Sequence, residues 1–247
     1  MESAYLFITA LLLVGLFPTE FHVTDAAAVW LPASATFYEG PTGGACGYAN
    51  DLIKVYGYKT AALSTALFNN GAACGGCYQI VCDAKKDPQW CLKGKYITIT
   101  ATNFCPPNPA GGWCNLPRQH FDMTPLAFET IAIYRAGIVP VLYRRVTCRR
   151  TDGLVFTMNG NDYFELVNIS NVGGAGEISM VWIKGSKTNQ WETMSRNWGA
   201  NWQCSSYLNG QTLSFRVQAS NGKIRTAYNV VPSNWKFGQS FKSNVQF

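Results

Sequence analysis

Histidine is the scarcest chemistry-bearing residue of this chain. The 247 residues include only two histidines, His22 and His120. His22 lies within the predicted secretory signal (residues 1–28, below), so the mature chain keeps only His120, and a catalytic zinc site with several histidines is excluded. We predict that the protein holds no metal and no cofactor, and that any histidine-dependent chemistry depends on His120.

Charged residues are also few. They make up 14% of the chain, whereas aromatic residues make up another 14%. Disordered chains show the opposite balance. The 23 glycines and 11 prolines exclude a long coiled coil. A Ser-His-Asp triad is set aside, because no Gly-x-Ser-x-Gly motif accompanies His120.

The first 28 residues have the pattern of a cleaved secretory signal. An apolar run over residues 5–17 precedes Ala26-Ala27-Ala28, which suits a cleavage site. The run is short for a bilayer span, although a membrane anchor remains the alternative. Removal leaves 219 residues (247 minus 28) with 20 basic and 11 acidic side chains, a charge of +9. This charge indicates an anionic partner such as an acidic polysaccharide, or serves solubility alone.

Nine cysteines are present, and seven of them lie within residues 46–114. In a secreted protein this density predicts a disulfide framework. The Cys74-Gly-Gly-Cys77 motif leaves a redox pair or half of a zinc ribbon as alternatives. The odd count leaves one thiol over, and isolated Cys204 is the natural one. The sequon at Asn168 is a glycan site if it is exposed.

Two helices are predicted, the rest being mostly strands. The first covers residues 61–68 with Thr60 as its cap and Asn69 as its stop. The second opens at Thr124-Pro125 and ends at Gly137. Strands are expected over residues 96–102, 138–146, 154–158, 163–169, 178–184, 213–218 and 223–231, with a hairpin turn at 159–160. Cysteines nearly vanish after residue 150, so a domain boundary is placed near 150–153.

His120 and Asp122 are the first candidates for chemistry. A carboxylate here suits a general acid with the histidine nearby. The alternative, favoured on spacing alone, is a structural Asp at a helix N-terminus. An inverting glycosidase needs a second carboxylate across a groove. Five acids of the first domain were considered, and none has a context that suggests a base: Glu39, Asp51, Asp83, Asp87 and Glu129.

Aromatic residues are dense in the second half of the chain. Trp198 and Trp202 lie in a polar stretch without a strand pattern, where exposed rings mark binding surfaces. Burial in a core is the equally weighted alternative for both. Trp182 and Trp235 are expected in the core.

Several strings resemble those of plant α-expansins over nearly the whole mature chain. They include TFY (36–38), GGACGYAN (43–50), CGGC (74–77), TATNFCPPN (100–108), QHFD (119–122) and MSRNWGANW (194–202). The resemblance implies a mainly β fold: a double-psi β-barrel with two short helices over residues 29–150, then an immunoglobulin-like β-sandwich over residues 151–247. It also implies secretion to the cell wall and non-hydrolytic loosening of wall polysaccharides.

The resemblance carries over residue by residue. It implies a polysaccharide groove lined by Thr36, Tyr38, His120 and Asp122. It implies a carbohydrate-binding platform that contains Tyr163, Trp198 and Trp202. The implied disulfides are Cys46–Cys74, Cys77–Cys148, Cys82–Cys91 and Cys105–Cys114, which leaves Cys204 free.

Two departures from the family border this groove. Only Glu39-Gly40-Pro41-Thr42 fills the gap after TFY, so a groove aspartate of the family is missing. The insert before GGWC is reduced to Pro109-Ala110. We expect the fold to tolerate both deletions. We expect the wall-loosening activity to be affected, because both deletions border the groove.

Three functions follow from these observations. The first is a non-enzymatic, secreted wall-loosening protein that binds cellulose and xyloglucan or other matrix polysaccharides, with acidic pectin as a further partner. The second is an inverting endoglucanase, and the third is a binding-only wall protein without loosening activity. We expect a monomer without nucleic-acid partners, and only peripheral contact with the wall side of a membrane.

Overall fold

The computed structural model of the chain describes residues 29–39, 44–48 and 52–247. The predicted signal, most of the shortened loop after TFY and Asp51 lie outside the described residues. Six strands form a closed barrel: β1 (Leu31–Phe37), β2 (Thr60–Leu63), β3 (Cys77–Cys82), β4 (Tyr96–Phe104), β5 (His120–Met123) and β6 (Val139–Val146). Around the barrel their order is β1-β5-β2-β4-β3-β6, so β5 and β3 lie on opposite walls.

Alternation along the strands builds the barrel core. In β4, for example, Ile97 and Ile99 are buried, whereas Tyr96 and Thr98 face outward. Two of the strand pairs are parallel, β1 with β5 and β2 with β4. The mainly β fold with a barrel, expected from the resemblance, is confirmed.

The first helix prediction is wrong over its first half. Residues 60–63 form β2, which is buried along its whole length between β4 and β5. The strand pairing outweighs the helix propensity of the two alanines. The helix that follows, α2 (Thr65–Phe68), covers only four residues, and it ends where predicted because Asn69 adopts a left-handed φ of 48°.

The second predicted helix is also shorter. It begins at Pro125 as expected, but α3 (Pro125–Glu129) has five residues. A separate 3-10 turn, Tyr134–Ala136, precedes Gly137, and another covers Asn69–Gly71. A further helix, α1 (Leu52–Tyr56), was not predicted. Within the described residues, no helix has the length and apolar character needed to cross a membrane.

The second half of the chain is an eight-stranded β structure. Its strands are β7 (Val155–Asn161), β8 (Phe164–Ser170), β9 (Ile178–Gly185), β10 (Glu192–Arg196), β11 (Asn201–Cys204), β12 (Leu213–Ala219), β13 (Ile224–Val231) and β14 (Ser240–Lys242). The first part of β10 pairs with β9 and its last part pairs with β11, so β10 links two layers. Between the layers, the rings of Phe156 and Phe215 stack with centroids 4.5 Å apart.

The hairpin turn predicted at residues 159–160 is wrong. Asn159 and Gly160 both lie in β7, and the turn itself is at residues 162–163. Gly160 pairs with Glu165 of β8, and a Cβ atom at Gly160 would lie 2.0 Å from the Phe164 carbonyl oxygen. This glycine therefore permits a close strand approach rather than a turn.

All four disulfides implied by the resemblance are confirmed. They join Cys46 to Cys74, Cys77 to Cys148, Cys82 to Cys91 and Cys105 to Cys114. The Cys74 and Cys77 thiols therefore pair with distant partners, which excludes a disulfide between them. Cys204 is free and buried, and burial raises the pKa of its thiol to about 12.

The two β structures meet through direct contacts. The Cys46 carbonyl oxygen of the barrel accepts hydrogen bonds from the Ala200 backbone N–H at 3.1 Å and from Asn168 Nδ2 at 3.2 Å. Arg145 forms a 3.1 Å ion pair with Glu177. The barrel ends at Val146 and β7 begins at Val155. The exact domain limits, near residues 150–153, stay a prediction.

Candidate functional site

The parallel pairing of β1 with β5 brings four polar residues together. Ser34 lies opposite His120, and Thr36 lies opposite Asp122. The residues between them, Ala35 and Phe121, are fully buried in the barrel core. Because successive side chains of a strand point to opposite faces, the four polar side chains share the other face. The strand register therefore brings Thr36, His120 and Asp122 together, as the predicted site requires.

These side chains form a hydrogen-bond chain with a single direction. Thr36 Oγ1 donates to Asp122 Oδ1 at 2.7 Å and lies 2.8 Å from His120 Nε2. A hydroxyl has one proton, so His120 Nε2–H must donate to Thr36. In the neutral ring Nδ1 then accepts, and Ser34 Oγ lies 2.8 Å from it. The order of donation is Ser34 to His120 to Thr36 to Asp122.

Burial sets the protonation state of both titratable groups. It lowers the pKa of His120 to about 4, because the charged imidazolium is poorly solvated there. It raises the pKa of Asp122, an effect that the hydrogen bond from Thr36 partly offsets. Near neutral pH, His120 is therefore neutral, and Asp122 Oδ1 accepts the hydrogen bond from Thr36.

Tyr38 extends the site beyond the end of β1. Its backbone N–H donates to the Met123 carbonyl oxygen at 3.0 Å. Its pKa is raised by burial, lowered by a hydrogen bond to Asn103 and raised by the charge of Asp122. Tyr38 thus lies near both groups. We call Thr36, Tyr38, His120 and Asp122 together the barrel groove, after the groove that the resemblance to expansins implies.

An exposed tryptophan covers one side of this groove. The ring of Trp113 is nearly parallel to that of His120, with centroids 6.4 Å apart. The Arg118 guanidinium lies 5.3 Å from the centre of the same indole. The disulfide from Cys114 to Cys105 anchors this segment to the end of β4. Trp113 therefore offers a fixed, half-exposed ring beside His120.

The other acids of the barrel serve turns or lie on the surface. Asp83 and Asp87 follow β3, on the wall opposite β5; Asp83 pairs with Lys86 at 3.8 Å, and Asp87 accepts a hydrogen bond from the Trp90 backbone. Glu39 and Glu129 are exposed. In the described part of the chain, no acid is among the groups that shift the pKa of Asp122. Nor do three His, Cys, Asp or Glu side chains gather there as a metal site would require.

The aromatic platform differs from the prediction. Tyr163 and Trp198 are 77% and 46% exposed, but Trp202 is only 3% exposed. Trp202 belongs to the core between the two sheet layers, with the Arg196 guanidinium 4.4 Å from its ring centre. Its inclusion in an exposed platform is therefore wrong, because β11 turns alternate side chains inward. Of the two expected core residues, Trp235 is buried and Trp182 is half-buried.

Tyr163 and Trp198 lie at different places on the second domain. Tyr163 is in the turn between β7 and β8, next to Tyr207 at 6.0 Å. Trp198 lies near the domain junction, where it lines a cavity of about 260 Å³ together with Tyr48 and Leu166. The structure thus places Trp198, rather than Tyr163, beside the barrel.

The barrel groove and Trp198 are linked by a short path of contacts. Asn103, the partner of Tyr38, accepts a 2.8 Å hydrogen bond from the Ala45 backbone N–H. Gly199 packs on the same segment so closely that a Cβ atom would lie 2.3 Å from the Ala45 carbonyl oxygen. A positive φ of 55° also favours glycine there. This close approach fixes the position of neighbouring Trp198 relative to the groove.

Sequence reasoning missed three residues of the site, namely Ser34, Asn103 and Trp113. A signal for Ser34 was present, because Ser34-x-Thr36 and His120-x-Asp122 share the spacing of strand neighbours. Asn103 lies in the string TATNFCPPN and Trp113 lies in GGWC. Only the tertiary structure places Asn103 beside Tyr38 and Trp113 beside His120.

Comparison with family models gives two matches. One is described as the expansin C-terminal domain and covers residues 154–232. The other is described as lytic transglycolase and covers residues 60–143. The first lies in the eight-stranded domain and the second in the barrel.

Known proteins resemble the chain over most of its length. It is 55% identical to Expansin-A13 of Oryza sativa subsp. japonica, covering 88% of this chain and 87% of that protein. It is 52% identical to Expansin-A25 of the same species, covering 100% and 99%. It is 51% identical to Expansin-A12 of Arabidopsis thaliana, covering 98% and 97%.

Among solved structures, the fold matches that of the expansin of Clavibacter michiganensis without ligand. The TM-score is 0.67 at 18% identity, covering 88% of this chain and 98% of that one. An aspartate-to-asparagine variant of that expansin, in complex with cellohexaose, matches equally well. At this identity the likeness concerns the fold, while the family follows from the sequence matches. The chain belongs to the expansin family.

Proposed function

We propose that this expansin loosens the plant cell wall by binding glucan strands, without hydrolysing them. The observation that carries the proposal is a single carboxylate, Asp122, held by a directed chain of hydrogen bonds. The site offers acceptors and hydroxyls to a sugar, but the described residues pair no second carboxylate with Asp122.

The groove competes for the hydroxyl groups through which glucan strands hold one another. Asp122 accepts hydrogen bonds from sugar hydroxyls, and charge-assisted bonds of this kind are about twice as strong as neutral ones. Tyr38 adds a phenol and Trp113 adds a ring on which a sugar face packs. His120 fixes the Thr36 hydroxyl and stays neutral, so it is a positioning residue.

The second domain anchors the protein. Trp198 is exposed, lies at the domain junction and is held there by the contacts of Gly199. A strand bound in the barrel groove is thereby able to continue onto the second domain. Tyr163 provides a separate exposed ring in the turn between β7 and β8.

Cellulose and matrix glucans such as xyloglucan are the proposed partners, and the wall is the proposed location. The fold neighbour whose structure contains cellohexaose supports a cellulose-like ligand. The expansin-A relatives support a wall protein that is secreted. A signal peptide agrees with this location and stays a prediction.

Hydrolysis is the second candidate, and the raised pKa of Asp122 favours it. A carboxyl group that holds its proton to a higher pH is a better general acid. Inversion, however, needs a second carboxylate roughly 6.5–9.5 Å away to activate water. The acids considered for this role lie on the far wall, on the surface or outside the described residues.

The test combines wall extension with sugar release. Heat-inactivated wall strips under constant load receive the wild-type protein, Asp122→Asn or the control Glu129→Gln, an exposed acid of the same domain. We expect extension with the wild type and control, strong loss with Asp122→Asn, and no soluble reducing sugar in any arm.

Each other outcome contradicts a part of the proposal. Sugar release that Asp122→Asn abolishes would establish the hydrolase. Normal extension by a folded Asp122→Asn would exclude the barrel groove as the site. Depletion of the wild type by insoluble cellulose, measured in parallel, without wall extension would identify a binding-only protein.

A further inference from the structure

A second cavity lies on the barrel wall opposite the barrel groove. Its volume is about 530 Å³, and it is bordered by strands β3, β4 and β6. Strand β3 is diametrically opposite β5, which contains Asp122. Four cationic residues line it, and we call it the cationic cavity: Lys59, Arg144, Arg149 and Arg150. Among the described residues, no acid lines it.

Arg150 at the base of this cavity lacks a counter-charge. Its guanidinium lies 4.8 Å from the ring centre of Tyr56 and donates a hydrogen bond to the Thr100 hydroxyl. Its Nε is buried without a hydrogen-bond partner. The ion pairs of the described residues do not include it. Charged groups with little exposure are normally paired with an opposite charge in proteins, so a half-buried Arg150 without a carboxylate partner favours an anionic ligand in this cavity.

The base of the cavity is rigid before any ligand arrives. The disulfide between Cys77 and Cys148 ties the segment of Arg150 to β3. Arg144 Nε donates to Gln79 Oε1 at 2.8 Å, and its guanidinium lies 4.7 Å from the ring centre of Trp30. Fixed guanidinium groups lose little conformational entropy when they bind a carboxylate.

The rim suits a sugar rather than a bare ion. Tyr96 is 61% exposed at the edge of the cavity, next to the Thr98 hydroxyl. A ring and a hydroxyl are the groups that hold a sugar face. Arginine binds carboxylates through two parallel hydrogen bonds. Several cations within one cavity match a polymer that repeats its carboxylate on every sugar.

We propose that the cationic cavity binds an acidic polysaccharide, specifically a polymer of uronic acids. This inference rests on the proposed function in one respect: a protein of the plant cell wall encounters acidic polysaccharides. It assigns the acidic partner to a surface separate from the barrel groove. The protein is then able to hold a neutral glucan and an acidic polymer at the same time, on opposite walls of one barrel.

The test uses the full-length mature protein and an oligogalacturonate of defined length. The rim variant is a double substitution, Lys59→Gln with Arg149→Gln, which neutralises two exposed cations of the cavity rim. The matched control neutralises two exposed cations of the second domain, in Lys223→Gln with Lys236→Gln, so both variants lose the same charge. Calorimetric binding to the oligomer is measured at fixed ionic strength, with cellulose binding as a parallel readout.

We expect the rim variant to bind the oligomer at least tenfold more weakly, and the control to change less than twofold. The fully methyl-esterified oligomer, which lacks the carboxylate charge, should not bind the wild type. Cellulose binding should be unchanged in both variants. If the wild type does not bind cellulose, that result contradicts the proposed function and not the acidic-polymer site. Equal losses in rim variant and control, or full competition by inorganic sulfate at the same ionic strength, would overturn the cavity as a polyuronate site.

Discussion

Thr36 Oγ1 donates a 2.7 Å hydrogen bond to Asp122 Oδ1, from one parallel strand of the barrel to the next. The same oxygen lies 2.8 Å from His120 Nε2, so the hydroxyl cannot turn away without losing a second bond. Asp122 is thereby fixed as an acceptor that faces the groove. The hydrogen bond also favours the ionised carboxylate, against the effect of burial.

Replacing Thr36 with valine should raise the pKa of Asp122 further. The variant keeps the shape of the side chain and its burial but removes the hydrogen bond that lowers this pKa. The Asp122 carboxyl carbon, followed by NMR as pH is varied, gives the pKa directly. Ser34→Ala is the control, because Ser34 contacts His120 and not Asp122. An unchanged pKa in Thr36→Val would contradict the proposed role of the hydroxyl.

His120 should make the protein less stable as pH falls from about 6.5 to about 4. Its folded-state pKa of about 4 lies below the ordinary 6.5, so the unfolded chain binds more protons in this window. The loss of stability amounts to at most about 3.5 kcal/mol, at about 1.4 kcal/mol per pKa unit. Urea unfolding of wild type and His120→Gln at several pH values measures it.

The quantity to compare between wild type and His120→Gln is the slope of the unfolding free energy against pH, not the absolute stability. Asp122, Glu165 and Glu177 have raised pKa values and act in the opposite direction in the same range. They are present in both proteins, so the difference in slope isolates His120. Parallel curves for the two proteins would exclude a buried neutral histidine.

Local patterns predicted most strands of the second domain but misjudged the first helix. The clean alternation over residues 213–218 became β12, because one side of that strand faces a core. The alanines of residues 61–63 became a buried strand, because β2 pairs with partners about 40 and 60 residues away. No local pattern contains that pairing.

The site was predictable in composition but not in arrangement. The strings that resemble expansins identified Thr36, Tyr38, His120 and Asp122. The parallel register that adds Ser34, and the burial that removes Trp202 from the surface, come from tertiary packing. Trp202 lies in a polar stretch of sequence, yet its strand pairs with β8 over the core, so polarity of the neighbours misled the prediction.

Asn168 should remain unglycosylated despite its sequon. The side chain is 3% exposed, and its Nδ2 donates to the Cys46 carbonyl oxygen and to Asn201 Oδ1, both at 3.2 Å. A glycan would replace these bonds and separate the two domains. Peptide mapping of protein secreted from plant cells should find the unmodified residue.

A created sequon provides the positive control. Lys223→Thr produces Asn221-Gly-Thr in the exposed turn between β12 and β13, where a glycan has room. This variant should gain one glycan on Asn221 in the same cells. A glycan on Asn168 of the folded, secreted protein would contradict the domain contact described for that residue.

Trp198 and Trp202 should respond in opposite ways to replacement by alanine. Trp202→Ala empties a place in the core and should cost about 3–5 kcal/mol of stability. Trp198→Ala should change stability by less than about 0.5 kcal/mol, since the side chain is half-exposed. It should weaken binding to insoluble cellulose about tenfold, because one stacked ring contributes roughly 1–3 kcal/mol in nucleic-acid binders and a tenfold change corresponds to about 1.4 kcal/mol. Thermal unfolding and depletion isotherms measure the two effects.

The control is Tyr228→Ala, which removes an exposed ring from β13 in the other sheet layer. This variant should leave both the stability and the cellulose binding unchanged. Equal weakening by Trp198→Ala and Tyr228→Ala would mean that exposed aromatic area in general, rather than the junction beside the barrel, binds cellulose.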